Sequence, residues 1–122
     1  MWLETPINPF GTHFDIQKLS AQAHSQGAIV AVDATFAPPP LMEPFKWGTD
    51  YIMHSATKYL GGHSDLLAGC IVTKSKQARD QVHYFVLLPL FWGDRGNCRC
   101  LWIGFMWEDD LEQWRVGFFC DR

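Results

Sequence analysis

The sequence predicts an α/β fold, a mostly parallel sheet with flanking helices, and three observations carry that prediction. Short continuous apolar runs recur at 28–32, Tyr51–His54 and 67–73, as expected of strands buried on both faces. A helical repeat lies ahead of the first of these runs. Residues with side-chain chemistry stand just past the runs, with Asp33 at the end of the first, where open α/β sheets bind ligands.

Taken in order, 1–4 reads as the end of a strand, and 5–11 as a loop punctuated by Pro6 and Pro9. Residues 15–26 read as a helix with Ile16, Leu19 and Ala23 on its apolar side. Asp15 or Thr12 can cap its start, and Gly27 suits the position after its end. Residues 28–32 follow as a buried strand. The segment 36–47 contains Pro38-Pro39-Pro40 and reads as irregular, with a short turn near 42–45. Tyr51–His54 is the next strand, Ser55 to Lys58 leaves it as a loop, and 67–73 is a further strand. Ser75 can open a helix in the polar segment beyond. Only one crossover helix is convincing, so such a sheet would leave part of its surface uncovered.

The chain has 122 residues, 48% of them hydrophobic, and a net charge of -3. This is a globular composition with room for one small domain. The mild acidity and the lack of a basic stripe argue against nucleic acid as a partner. Pro6, Pro9 and Glu4 interrupt any signal-peptide core in the first residues. The longest apolar run, 84–93, is ten residues and holds Pro89, whereas a membrane span needs about twenty. Cys70 reads as a buried thiol. Cys98-Arg99-Cys100 lacks both the C-x-x-C spacing and a second half of a metal site. The reading is of reduced thiols, no metal and a cytoplasmic location.

The chemistry concentrates in His54-Ser55-Ala56-Thr57-Lys58-Tyr59, with Asp33-Ala34-Thr35 twenty-five residues upstream of the lysine. A lysine amine can form a Schiff base with an aldehyde cofactor, and the hydroxyls of Ser55 and Thr57 can hydrogen-bond phosphate oxygens. A carboxylate such as Asp33 can pair with a pyridinium nitrogen. By itself each residue has a plainer reading. Lys58 could be a solvated surface charge, and Asp33 a turn residue or a helix cap.

Four blocks together resemble the transsulfuration (Cys/Met metabolism) family of pyridoxal-phosphate enzymes, most of all the cystathionine gamma-synthase and gamma-lyase branch. They are Trp2-Leu3-Glu4-Thr5-Pro6-Ile7-Asn8-Pro9, Val32-Asp33-Ala34-Thr35-Phe36-Ala37-Pro38-Pro39, His54-Ser55-Ala56-Thr57-Lys58-Tyr59 and Gly61-Gly62-His63-Ser64-Asp65. The resemblance implies a piece of the large cofactor-binding domain of a fold-type I enzyme, with pyridoxal 5'-phosphate as cofactor. It implies Lys58 as the Schiff-base lysine and proton shuttle, Asp33 as the partner of the ring nitrogen, and Ser55 and Thr57 as phosphate ligands. It further implies Thr35 near the ring and Asn8 beside the 3-hydroxyl. Gly61 to Asp65 reads as a glycine turn, with His63 as packing. The implied substrate is a small amino acid carrying sulfur or activated oxygen on its beta or gamma carbon, and the implied assembly is the family's homotetramer.

The resemblance runs from residue 2 to about 81, so 1–81 reads as a partial pyridoxal-phosphate-binding domain. Residues 82–122 hold four of the six tryptophans and three of the four cysteines and read as an aberrant or divergent tail. A strand at 101–107 and a helical turn at 108–114 are the elements expected there. The family's upstream phosphate loop, its ring-stacking tyrosine and its carboxyl-terminal arginine have no counterpart in the chain. The isolated chain is therefore expected to be inactive. Two alternatives to an enzyme stand beside this: a catalytically inactive truncated product of such a gene, and an interaction module using the aromatic tail.

Overall fold

The computed structural model describes residues 1–63, 65 and 68–82, with the backbone of 102–107 and 115–117. Six strands form one sheet in chain order: β1 (Trp2–Glu4), β2 (Ala31–Asp33), β3 (Tyr51–His54), β4 (Ala68–Thr73), β5 (Trp102–Trp107) and β6 (Arg115–Gly117). β1, β2 and β3 pair in parallel, and β4 runs antiparallel to β3. β5 is parallel to β4, and β6 antiparallel to β5. The fold is α/β, and three of the five pairings are parallel.

The helix α1 (Ile16–Ser25) is set by its ends as the sequence predicts. The Asp15 carboxylate accepts the Lys18 N–H at 2.9 Å, so Asp15 and not Thr12 caps the first turn. Gly27, at φ 70°, donates to the His24 carbonyl, while the Ala28 N–H donates to the Ala23 carbonyl. That pair of bonds is the Schellman closure, which requires a left-handed residue after the helix. The buried face of α1 is Ile16, Ser20 and Ala23, whereas Leu19 is only half-buried. The expected Leu19 gives way to Ser20 because a Cβ on Gly48 would lie 3.5 Å from the Ser20 Cβ, and a small side chain suits such a close approach.

The core lies between α1 and one face of the sheet. Val32, Ile52 and Val72 stand side by side on β2, β3 and β4 and cluster with Ile16 and Ala23. The next rung, Asp33, Met53 and Ile71, faces the other way and is half-buried. Trp2, opposite Ala31 at the sheet edge, is 60% exposed on that second side.

One strand boundary and one turn differ from the sequence pattern. Residues 28–30 lie outside β2 because Asp50 and Tyr51 take up the backbone of Val30. The Val30 N–H donates to the Asp50 carboxylate at 2.7 Å, and its carbonyl accepts from the Asp50 and Tyr51 amides. Ile29, included in the expected strand, is 64% exposed. The turn expected near 42–45 is a 3-10 helix two residues later, Pro44–Trp47, opened by Pro44 and closed by Gly48 at φ 90°. Residues 76–82 are helical, and the Ser75 hydroxyl caps them by accepting the Ala78 N–H at 3.1 Å. In the tail, 102–107 forms the expected strand. The expected turn at 108–114, the first residue of the 67–73 run, Ser64, and Cys98, Cys100 and Cys120 fall outside the described residues.

Candidate cofactor site

Because β1, β2 and β3 run in parallel, the loops leaving them emerge at one end of the sheet. These loops carry Asn8, then Asp33 with Thr35, then Ser55, Thr57 and Lys58. β4 runs the other way and begins at that same end, at Ala68. Every residue that the sequence nominated thus lies on a loop leaving this one end of the sheet.

Backbone-to-side-chain bonds tie these loops to one another. The Thr35 N–H donates to the Asp33 Oδ1 at 2.9 Å, which turns the chain immediately after β2. The Ser55 N–H donates to the Thr35 Oγ1 at 2.7 Å, joining the loop after β2 to the loop after β3. The Thr57 Oγ1 accepts the Ala68 N–H at 2.9 Å and donates to the Ala68 carbonyl at 3.2 Å, joining that loop to β4. The Lys58 N–H donates to the Ser55 carbonyl at 3.0 Å, so the lysine sits in a tight turn with its side chain exposed. Asn8 is exposed on the loop after β1, and its N–H donates to the Glu4 carboxylate at 3.3 Å.

The groups left without partners suit an aldehyde-phosphate cofactor. Among the described residues, the Lys58 amine, the Ser55 hydroxyl and the second carboxylate oxygen of Asp33 make no hydrogen bond or ion pair. They offer one nucleophilic amine, one phosphate donor and one anionic acceptor for a ring N–H. The Thr57 hydroxyl stands on the same loop, bonded to the Ala68 backbone.

The expectation that His63 packs is corrected. His63 is exposed, and its Nδ1 lies 3.2 Å from the Gly61 carbonyl, as a local turn contact. The histidine that is buried is His54, at the end of β3, 6% exposed and with no partner for Nδ1 among the described residues. Burial holds its pKa below the ordinary imidazole value, although the Ala34 backbone and the Asp33 charge favour its protonated form. Cys70 lies opposite it on β4, and burial pushes that thiol's pKa up, so it is a poor nucleophile. A polar residue closing an apolar strand was the only sequence signal for His54, and that signal does not distinguish a core position from a loop.

Comparison with known proteins agrees with this arrangement. The profile of the Cys/Met metabolism PLP-dependent enzymes matches residues 1–98. The chain belongs to that family. The cystathionine beta-lyase of Lactococcus lactis subsp. cremoris is 45% identical over 84 residues, 69% of this chain and 22% of that enzyme. The cystathionine gamma-lyase of Bacillus subtilis is 40% identical over 84 residues, again 69% and 22%. Among solved structures, a cystathionine gamma-synthase from Xanthomonas oryzae pv. oryzae, in complex with aminoacrylate and cysteine, superposes with a TM-score of 0.64 at 35% identity. It covers 69% of this chain and 22% of that one. The chain thus spans about a fifth of the length of the relatives it matches. The family's enzymes depend on pyridoxal phosphate. Relatives named for three different reactions share this slice at similar identity.

Proposed function

We propose that this chain is the cofactor-holding part of a pyridoxal-phosphate enzyme of sulfur amino acid metabolism, of the cystathionine gamma-synthase or gamma-lyase type. Lys58 holds the cofactor covalently through its amine. The observation that carries the reading is the shared sheet end at which the loops after β1, β2 and β3 meet the start of β4. In this reading Asp33 faces the cofactor's ring nitrogen with the carboxylate oxygen that Thr35 leaves open. Ser55 donates to the phosphate, Thr35 borders the ring, and Asn8 lies beside the 3-hydroxyl. Thr57, on the same loop and with its hydroxyl meeting the Ala68 backbone, is the second phosphate ligand.

When bound, pyridoxal phosphate supplies an electron sink for charge developing at the substrate's alpha carbon. The protein's part is to hold and move protons around it. Asp33 would keep a proton on the ring nitrogen, and the Lys58 amine, once the substrate's own amine has displaced it from the cofactor, would take one from the substrate's alpha carbon and return it further along the substrate. The substrate is a small amino acid, a class supported by the cysteine and aminoacrylate in the Xanthomonas synthase. The division at residue 81, the homotetramer of the parent enzymes, a cytoplasmic location, and the inactivity of these 122 residues by themselves belong to the same proposal.

The test is reduction of the cofactor-treated chain with borohydride, followed by peptide mapping. The label is expected on Lys58 and not on Lys18, Lys46, Lys74 or Lys76. Label mainly on any of those four would refute the assignment.

A further inference from the structure

Thr35 supplies an acceptor that the turn after β2 takes away from the sheet. β2 and β3 pair in parallel with Ala31 opposite Tyr51 and Asp33 opposite Met53. Carried past the strand ends, the same register sets Thr35 opposite Ser55. In a parallel ladder a residue's N–H and carbonyl bond to the two residues that flank its opposite number on the next strand. Val30 and Ala34 follow that pattern: the Tyr51 N–H donates to the Val30 carbonyl at 3.1 Å, and the Ala34 N–H donates to the Met53 carbonyl at 2.9 Å. The next bond in the series would run from the Ser55 N–H to the Ala34 carbonyl. That carbonyl instead accepts the Ala37 N–H at 3.1 Å, across the turn at Thr35 and Phe36. The Ser55 N–H donates to the Thr35 hydroxyl at 2.7 Å.

This exchange of acceptors reconciles two needs. The chain has to leave the sheet after Asp33, and the turn that takes it away occupies the Ala34 carbonyl. Ser55 still has to be held beside β2. The Thr35 side chain stands in for the lost backbone acceptor, as hydroxyl side chains do at helix and turn ends. The same residue's own N–H donates to the Asp33 Oδ1 at 2.9 Å. Thr35 thus holds Asp33 with its backbone and Ser55 with its side chain. Branching at its Cβ restricts the rotation that would slacken this link.

We propose that Thr35 is a positioning residue that sets the separation between Asp33 and Ser55: its hydroxyl replaces the Ala34 carbonyl as acceptor for the Ser55 N–H, while its own N–H orients the Asp33 carboxylate. The proposal rests on the reading of Asp33 as the partner of the cofactor's ring nitrogen and of Ser55 as a phosphate donor. It goes beyond that reading by tying the groups at the two ends of the cofactor to each other through one residue. The ring nitrogen and the phosphate arm of pyridoxal 5'-phosphate leave one rigid ring, so a site that engages both gains affinity when their partners are held at a fixed span.

The experiment compares the full chain with Thr35→Val, which keeps the shape and the N–H but removes the acceptor, and with Thr35→Ser, which keeps the hydroxyl. Amide hydrogen exchange reads the link directly. The Ser55 amide is expected to exchange about three- to tenfold faster in Thr35→Val, the scale of one lost hydrogen bond, and to return toward the parent rate in Thr35→Ser. The Tyr51 amide, at the far end of the same strand pair, is expected to keep its rate in both. Binding is then titrated with pyridoxal 5'-phosphate and with pyridoxal, which lacks the phosphate and so engages only one of the two ends. A fixed span predicts that Thr35→Val weakens pyridoxal 5'-phosphate by about three- to tenfold and pyridoxal by less, with Thr35→Ser restoring both. A residue that only packs against the ring predicts no change in the valine variant, which has the same shape. Unchanged exchange at Ser55 in Thr35→Val, equal acceleration at Ser55 and Tyr51, or equal weakening or no weakening of the two compounds overturns the proposal. If the parent chain binds neither compound, that result counts against the cofactor reading, and the exchange rates still decide the link.

Discussion

Replacing Thr49 by valine should stabilise this protein. Thr49 is fully buried between the 3-10 helix and β3, and its Oγ1 has no hydrogen-bond partner among the described residues. Burying an unpaired hydroxyl costs about 1–3 kcal/mol on mutational scales. Valine has the same shape with a methyl in place of the hydroxyl, and a buried methyl contributes about 0.8 kcal/mol. Allowing for local relaxation, a net gain of about 1–2 kcal/mol is expected. For a chain of 122 residues, an unfolding entropy of about 2.1 cal/mol/K per residue converts this to a rise in Tm of about 4–8 °C. The assay is a circular dichroism melt of the parent, Thr49→Val and Thr49→Ser proteins. Serine keeps the hydroxyl and loses the methyl, so it should melt below the parent. A valine variant that melts below the parent by several degrees would show that the hydroxyl is bonded in the folded protein.

Two further outcomes follow from the same structure. Gly27→Ala should lower stability by about 1 kcal/mol, the cost of placing a Cβ in the left-handed region, and the melt should show it. No neighbour lies within 4 Å of that Cβ, so the loss is backbone strain alone. Asp50→Asn should lower stability at neutral pH by less than about 1 kcal/mol, because the carboxylate is partly exposed and screened. Burial tends to raise the Asp50 pKa, but the hydrogen bond from His24 and that from the Val30 N–H outweigh it and hold the value below 3.8. A depressed carboxylate stabilises the fold above its unfolded pKa of about 3.9. The difference between parent and Asp50→Asn should therefore persist above pH 4 and shrink as the pH falls below it. A gap that widens on acidification would contradict the assignment.

The parts of the fold that were legible in the sequence are those governed by local signals. Asp15, Gly27 and Ser75 mark helix ends because capping needs one side chain or one left-handed residue nearby. Asp33 at the end of β2 and Lys58 in the turn after β3 follow from an apolar run meeting a hydroxyl-rich loop. What escaped the sequence depends on partners far along the chain. The start of β2 is moved by Asp50, a partner twenty residues away from Val30. The burial of Ser20 in place of Leu19 depends on Gly48. The hydrogen bond that joins the Thr57 hydroxyl to Ala68 ends on a backbone amide, and no residue type announces a backbone amide.

The alternation along β2 also acts as a check on assembly. Val32 points into the core and Asp33 points away from it, so the two residues occupy opposite faces of one pleat. A slip of one residue against β1 or β3 would drive the Asp33 carboxylate into the apolar cluster beside Ile52 and expose Val32. The energy of that error is large, because an unpaired buried carboxylate and a solvated valine are both unfavourable. The site's anionic group is thus addressed by its apolar neighbour: a chain that buries Val32 correctly has, by the same act, delivered Asp33 to the proper side. Natural variation at position 32 should then be limited to apolar residues.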